Sequence, residues 1–144
     1  MAIQFHTQHI TKPKFKIGKT RTWLVNNAIN EGFKIKEINY ILMSDDDLLQ
    51  MNIDYLQHDY YTDIITFDNT TDAEREKKQL VADIFISVDR VADNALQNNV
   101  TTNHELMRIM IHGLLHLCSY NDKTKAQQQL MRKKENEYLD VLFL

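Results

Sequence analysis

The 144-residue sequence predicts an α+β fold, a single domain spanning residues 1–144 in which helices pack on one small mixed β-sheet. Three observations carry this expectation. Strand-like and helix-like stretches follow one another in the order β-α-β-α-β-β-α-α-α, an interleaving that places helices against a sheet. A chain of this length buries roughly 68–70% of its unfolded surface, and 43% hydrophobic with 26% charged residues is ordinary globular usage. One proline, three glycines and no internal repeat leave no obvious linker.

Each element has a local cause. Ile3 and Phe5 alternate with polar residues and read as a first strand. A helix follows from about Lys16 to Glu31, with Ile17, Leu24 and Ala28 on one side and Gly32 ending it. Glu37 to Met43 reads as a strand. Ser44 then caps a helix whose first turn, Asp45-Asp46-Asp47, sets carboxylates at the positive end of the helix dipole. Thr62 to Asp68 is β-branched and aromatic, a strand by propensity. Residues 69–79 are polar and read as a surface loop, and Leu80 to Ser87 as a second buried strand. Ser87 caps a helix with Val88, Val91, Ala92, Ala95 and Leu96 as its apolar set. Thr102-x-x-Glu105 and Thr124-x-x-Gln127 are capping-box patterns that start two more helices.

Composition narrows the function classes. The single cysteine, Cys118, excludes an internal disulfide framework and fits a reducing compartment. No apolar run approaches the ~20 residues of a membrane span, and residues 1–14 lack a signal-peptide core, so the expectation is cytoplasmic. A net charge of −3 argues against a protein that coats nucleic acid indiscriminately. Its distribution is uneven: residues 1–36 carry seven basic side chains against Glu31 alone, while residues 37–72 carry nine acids and no Lys or Arg. The basic third is either a solvated helix face or an RNA contact surface.

The strongest chemical signal is His112-Gly113-Leu114-Leu115-His116, followed by Asp122. Residues i and i+4 share a helix face, so both imidazoles can address one ion. Ser119, Tyr120 and Asn121 tolerate a turn that swings Asp122 back toward them. Three protein ligands and one open position make a catalytic rather than a structural zinc arrangement. A histidine pair at this spacing is also compatible with plain packing. Gly113 argues for a site, since an interior helix glycine costs ~1 kcal/mol against alanine and marks a close approach to the backbone. The metalloprotease pattern HExxH is excluded, because Gly113 stands where its glutamate would be.

The run HGLLHLCSYND resembles the H-G-x-L-H-L-x-G-Y-D-H signature of the YbeY family, bacterial metal-dependent endoribonucleases of ribosomal RNA maturation. Thr62-Asp63-Ile64-Ile65-Thr66-Phe67 is similar to that family's T-D-V-L-S-F strand. Ala82-Asp83-Ile84 is similar to its G-D-I, Asn52 and Tyr55 match the preceding segment, and His104-Glu105-Leu106 falls where the metal-bearing helix starts. Four positions depart from the pattern: Asp122 replaces a third histidine, Leu56 an arginine, and Ser119 and Ala82 glycines.

The resemblance implies a single-strand-specific endoribonuclease of 16S 3′-end processing and ribosome quality control. It further implies RNA and ribosomal small-subunit partners, with no membrane or DNA role. His112, His116 and Asp122 become the expected ligands of one zinc per chain, with iron(II) as an alternative that two histidines and a carboxylate also suit. Asp63 and Arg108 are candidate catalytic residues, and Arg108 or Arg90 would stand in for the arginine missing at Leu56. His104 reads as a surface or supporting residue, Cys118 as a small buried one. Trp23, Tyr60 and Tyr61 read as packing residues before base-stacking ones. Two rival functions follow from the same residues: a ribosome assembly factor without catalysis, and a metallohydrolase of another substrate.

Overall fold

Parallel pairing requires a crossover, and the first helix provides it. In a computed structural model, which describes residues 2–144, β1 (Ile3–Thr7) leads through α1 (Ile17–Asn30) to β2 (Lys34–Met43). There follow α2 (Asp45–Leu56), β3 (Ile64–Asp68), α3 (Asp72–Glu76), β4 (Gln79–Ser87), α4 (Val88–Asn98), α5 (Thr102–Leu117) and α6 (Lys125–Leu142). The sheet order is β1-β2-β4-β3, parallel at β1–β2 and β2–β4 and antiparallel at β3–β4, the mixed sheet expected of the sequence.

Alternation decides which face of the sheet is dry. Leu80, Ala82, Ile84 and Ile86 of β4 are buried in strict period two, as are Ile38, Tyr40 and Leu42 of β2. Helix α5 lies against them and is itself buried along Met110, Ile111, Leu114 and Leu115. The Tyr40 hydroxyl donates to the Met110 carbonyl at 3.0 Å, a polar pin through this apolar layer. Gly113 is the point of closest approach. A Cβ there would meet Ile64 Cδ1 at 3.0 Å and Ile84 Cδ1 at 3.2 Å, so the glycine lets α5 sit directly on β3 and β4. A smaller cluster of Met43, Leu48 and Ile65 packs under α2.

Two local expectations are corrected. Residues 69–79 are not all loop: Thr71 and Glu74 form a reciprocal capping box that nucleates α3, and β4 already begins at Gln79. The cap of α5 is Thr101, whose hydroxyl accepts from the His104 N–H, one residue before the expected Thr102. Asn99 in the left-handed region closes α4 early enough to leave Thr101 extended. Glu105 is thereby released from any capping role and points inward, 5% exposed.

The turn after α5 is anchored from a distance. Glu31, at the end of α1, accepts hydrogen bonds from Tyr120 (2.7 Å) and Tyr138, with Lys134 at 3.5 Å. Burial raises the Glu31 carboxyl, but the two phenol donors and Lys134 outweigh it and hold it below its usual value. Its contribution to stability is therefore complete above the unfolded-state value near 4.5 and is lost as pH falls through the lower folded value. Urea unfolding between pH 7 and about pH 3 should show Glu31→Gln weaker than wild type at neutrality, the two converging in acid.

Ser119, in the same turn, has φ 78°, a left-handed conformation that costs an L-residue ~1–2 kcal/mol. A glycine would adopt this conformation without that cost, whereas Ala82 sits in β4 without such a demand. Ser119→Gly should raise the unfolding free energy by about 0.5–1 kcal/mol, the strain relieved less glycine's chain entropy, measured by denaturant titration.

Candidate metal centre

One turn of α5 separates His112 from His116, and their Nε2 atoms lie 3.0 Å apart. Asp122 Oδ2 is 3.3 Å from His116 Nε2 and 3.5 Å from His112 Nε2, and one donor atom from each residue falls within 4.8 Å of the others. The turn that returns Asp122 is fixed at both ends. The Tyr120 N–H donates to the Leu115 carbonyl (3.0 Å), and the Gln128 side chain donates to the Asp122 carbonyl (3.0 Å). The expected Thr124–Gln127 capping box then starts α6 immediately beyond.

The other nitrogen of each imidazole is already committed. His112 Nδ1–H donates to Glu135 Oε2 at 2.7 Å, and His116 Nδ1–H donates to the Tyr120 carbonyl at 2.9 Å. Both partners can only accept, so each Nε2 carries a lone pair rather than a proton in the neutral ring. Two lone pairs and a carboxylate directed at one point repel unless positive charge lies between them. Two imidazoles and one carboxylate suit a borderline dication such as zinc or iron(II), so the donor set fits a metal.

Glu135 escaped the sequence reading. It is 4% exposed, and its second oxygen accepts from Arg108 Nη1 at 2.9 Å. Arg108 Nη2 donates in turn to Asn136 at 2.8 Å. Burial raises the Glu135 carboxyl, but the hydrogen bonds from His112 and Arg108 prevail and keep it below its usual value. Desolvation lowers His112, while its bond to Glu135 and the charges of Glu135, Asp122 and Asp63 carry it above the usual imidazole value. No local pattern marks Glu135: it follows Lys133 and Lys134 in what reads as a solvated helix face.

A cleft of about 440 Å³ opens beside the donor set, lined among others by Asp63, Glu105, His112, Asp122 and Arg132. Asp63 immediately precedes β3, and burial raises its carboxyl against the opposing charge of His112. Glu105 is raised by burial too, and its Oε2 has no hydrogen-bond partner, with Arg108 Nε 4.0 Å away. Arg132, also missed in the sequence, is half exposed, lines the cleft and has Glu135 at 3.7 Å.

The remaining candidates fall elsewhere. Arg90 lines no part of the cleft and donates from Nε to Asp45 at 3.1 Å, which removes it as a stand-in for the missing arginine. Leu56 ends α2 and is 40% exposed, likewise off the cleft. Cys118 is buried, with its thiol pushed up to about 12 by desolvation and by Glu31. Trp23 is buried and donates to the Tyr138 carbonyl, whereas Tyr60 and Tyr61 are exposed, beside His58 and Arg90. Lys14, Lys16 and Lys19 line a different groove, reached from α5 through Asn103 and Met107 rather than through Glu105, Arg108 and His112.

Fold and site together define a small α+β protein built around a two-histidine, one-carboxylate centre on a helix and its following turn. The chain belongs to the YbeY family, whose model, described as Endoribonuclease YbeY, matches residues 2–142. It is 52% identical to the Endoribonuclease YbeY of Cytophaga hutchinsonii, over 84% of this chain and 82% of that protein. It is 42% identical to that of Bacteroides thetaiotaomicron, over 96% and 98% respectively. The solution structure of TM1509 from Thermotoga maritima shares the fold, with a TM-score of 0.68 at 23% identity over 98% of this chain and 89% of that one.

The Glu135–His112 bond yields a direct test. Removing a carboxylate that orients a metal-binding imidazole typically costs 10–100-fold in metal affinity. Glu135→Gln should weaken zinc binding by about that factor in a chelator competition, while Glu137→Gln, at an exposed position of α6, leaves it unchanged.

Proposed function

We propose that this chain is a metal-dependent endoribonuclease acting on single-stranded ribosomal RNA precursors, with His112, His116 and Asp122 holding one zinc ion. The observation that carries the reading is the convergence of three electron-rich atoms at the edge of a polar cleft, with both Nδ1 atoms already engaged. Membership of a family described by its endoribonuclease activity supplies the substrate class. When bound, the ion would acidify water and polarise a phosphoryl oxygen.

The chain's own residues do the rest. Glu135 holds the His112 proton on Nδ1 and so keeps Nε2 aimed into the site. Arg108 neutralises Glu135 and is tied to it and to Asn136 at 2.9 and 2.8 Å, which makes it a positioning residue at the cleft wall. Arg132, half exposed at the cleft wall, is the cation we assign to grip a phosphodiester. Asp63, pushed toward its protonated form by burial, can hold a proton for the leaving oxygen.

We take residues 1–144 as one unit working in the cytoplasm with the ribosome or its small-subunit proteins. No described helix is long and apolar enough to cross a membrane. Leu56 favours a second reading, an assembly factor that binds RNA without cutting it. One assay separates them. Zinc-loaded wild type should cleave a single-stranded ribosomal RNA fragment and spare its duplex, and His116→Ala should fall to the background rate. RNA bound but left intact would favour the assembly factor. Equal rates in the two proteins would contradict the proposal, as would cleavage of esters or peptides with none of RNA.

A further inference from the structure

The side of α5 turned away from the metal cleft carries a groove of about 640 Å³, between the segment leading into α1 and the end of α6. Its floor is apolar: Phe15, Met107, Leu142 and Phe143. Its rim is cationic, with Lys14, Lys16 and Lys19 exposed and no acidic side chain among the lining residues. The lysine ion pairs among the described residues lie elsewhere, Lys36 with Glu74 and Lys134 with Glu31 and Glu137. Three uncompensated cations around an apolar floor are a local feature of a chain whose net charge is −3.

Both aromatic rings are held in place. Phe15 packs edge-on against Phe5 with centroids 5.2 Å apart, and Phe143 lies 4.9 Å from the His104 ring while remaining 43% exposed. Lys12 Nζ sits 5.9 Å from the Phe15 ring and extends the positive rim.

We propose that this groove is a second RNA-binding site, which takes a single-stranded segment of the substrate outside the cutting cleft. The inference rests on the RNA reading of the metal centre. A cationic rim over an aromatic floor matches the alternation of phosphate and base along a single strand, where every base offers a stacking face. A duplex keeps its bases stacked inside and cannot present them to Phe15 or Phe143. The floor has few hydrogen-bonding groups, so the site tolerates sequence. The substrate is then gripped on opposite faces of α5, and RNA long enough to reach both is held more tightly than RNA that fills the cleft alone.

The test is anisotropy of a labelled oligouridine titrated with the zinc-loaded full chain over a series of salt concentrations. Each phosphate neutralised on a single strand contributes about 0.7 to the slope of log affinity against log salt. The triple variant Lys14→Ala/Lys16→Ala/Lys19→Ala should therefore lose about 2 from that slope and bind at least about tenfold more weakly at low salt. Phe143→Ala should bind about fivefold or more weakly at every salt concentration with the slope kept, because stacking is not a counterion effect. Zinc content equal to wild type in both variants shows that the other face is intact.

An unchanged slope and affinity in the triple variant overturn the inference. So does a triple variant that keeps RNA but loses polyglutamate, which would assign the groove to an acidic protein. Wild type that cleaves RNA while the triple variant binds it normally leaves the endoribonuclease reading standing and removes only the second site. Wild type that neither binds nor cleaves RNA removes both.

Discussion

The structure turns on one buried carboxylate. Glu135 leaves water at a cost of several kcal/mol, and it is tolerated because Arg108 and His112 meet its two oxygens at 2.9 and 2.7 Å. That short chain of charge joins α5 to α6 and fixes the ring of His112. It also decides the tautomer: with the proton held at Nδ1, the Nε2 lone pair has no direction left but toward His116 and Asp122. A carboxylate–histidine pair of this kind raises the basicity of the free nitrogen as well as aiming it.

The rest of the fold serves to hold α5 and its following turn still. Parallel pairing of β2 and β4 builds the apolar face, and Gly113 lets the helix approach it to the limit that Ile64 and Ile84 allow. The turn tolerates a strained serine because three separate elements reach it. Glu31, capping the end of α1, binds Tyr120, the Leu115 carbonyl accepts from the Tyr120 amide, and Gln128 of α6 holds the Asp122 backbone. A conformational cost of ~1–2 kcal/mol at Ser119 is small against that set of contacts.

What could be read from the sequence was what is local. The His112–His116 spacing, the glycine between them and the turn-forming run before Asp122 lie within eleven residues, and each acts through backbone geometry that periodicity exposes. The strands at Glu37–Met43 and Leu80–Ser87 were legible for the same reason. Glu135 was not, because its partners Arg108 and His112 lie 27 and 23 residues away, and nothing near it distinguishes a buried glutamate from a solvated one. Arg132 was hidden likewise. The cap of α5 shows a smaller failure: Thr101 and Thr102 are both competent caps, and only the left-handed Asn99 before them selects the first. The basic N-terminal third was visible as charge, but composition could not say that its lysines gather across α5 from the metal cleft.

The account rests on both imidazoles offering Nε2 to one ion while their Nδ1 protons stay with Glu135 and the Tyr120 carbonyl. Long-range proton–nitrogen correlation spectra of the histidine rings, recorded through a zinc titration, test this most directly. The expected result is a shift of the Nε2 resonances of His112 and His116 that saturates at one zinc per chain, with both Nδ1 atoms protonated throughout. Coordination through Nδ1, or spectra of these two rings that do not respond to zinc, would contradict it.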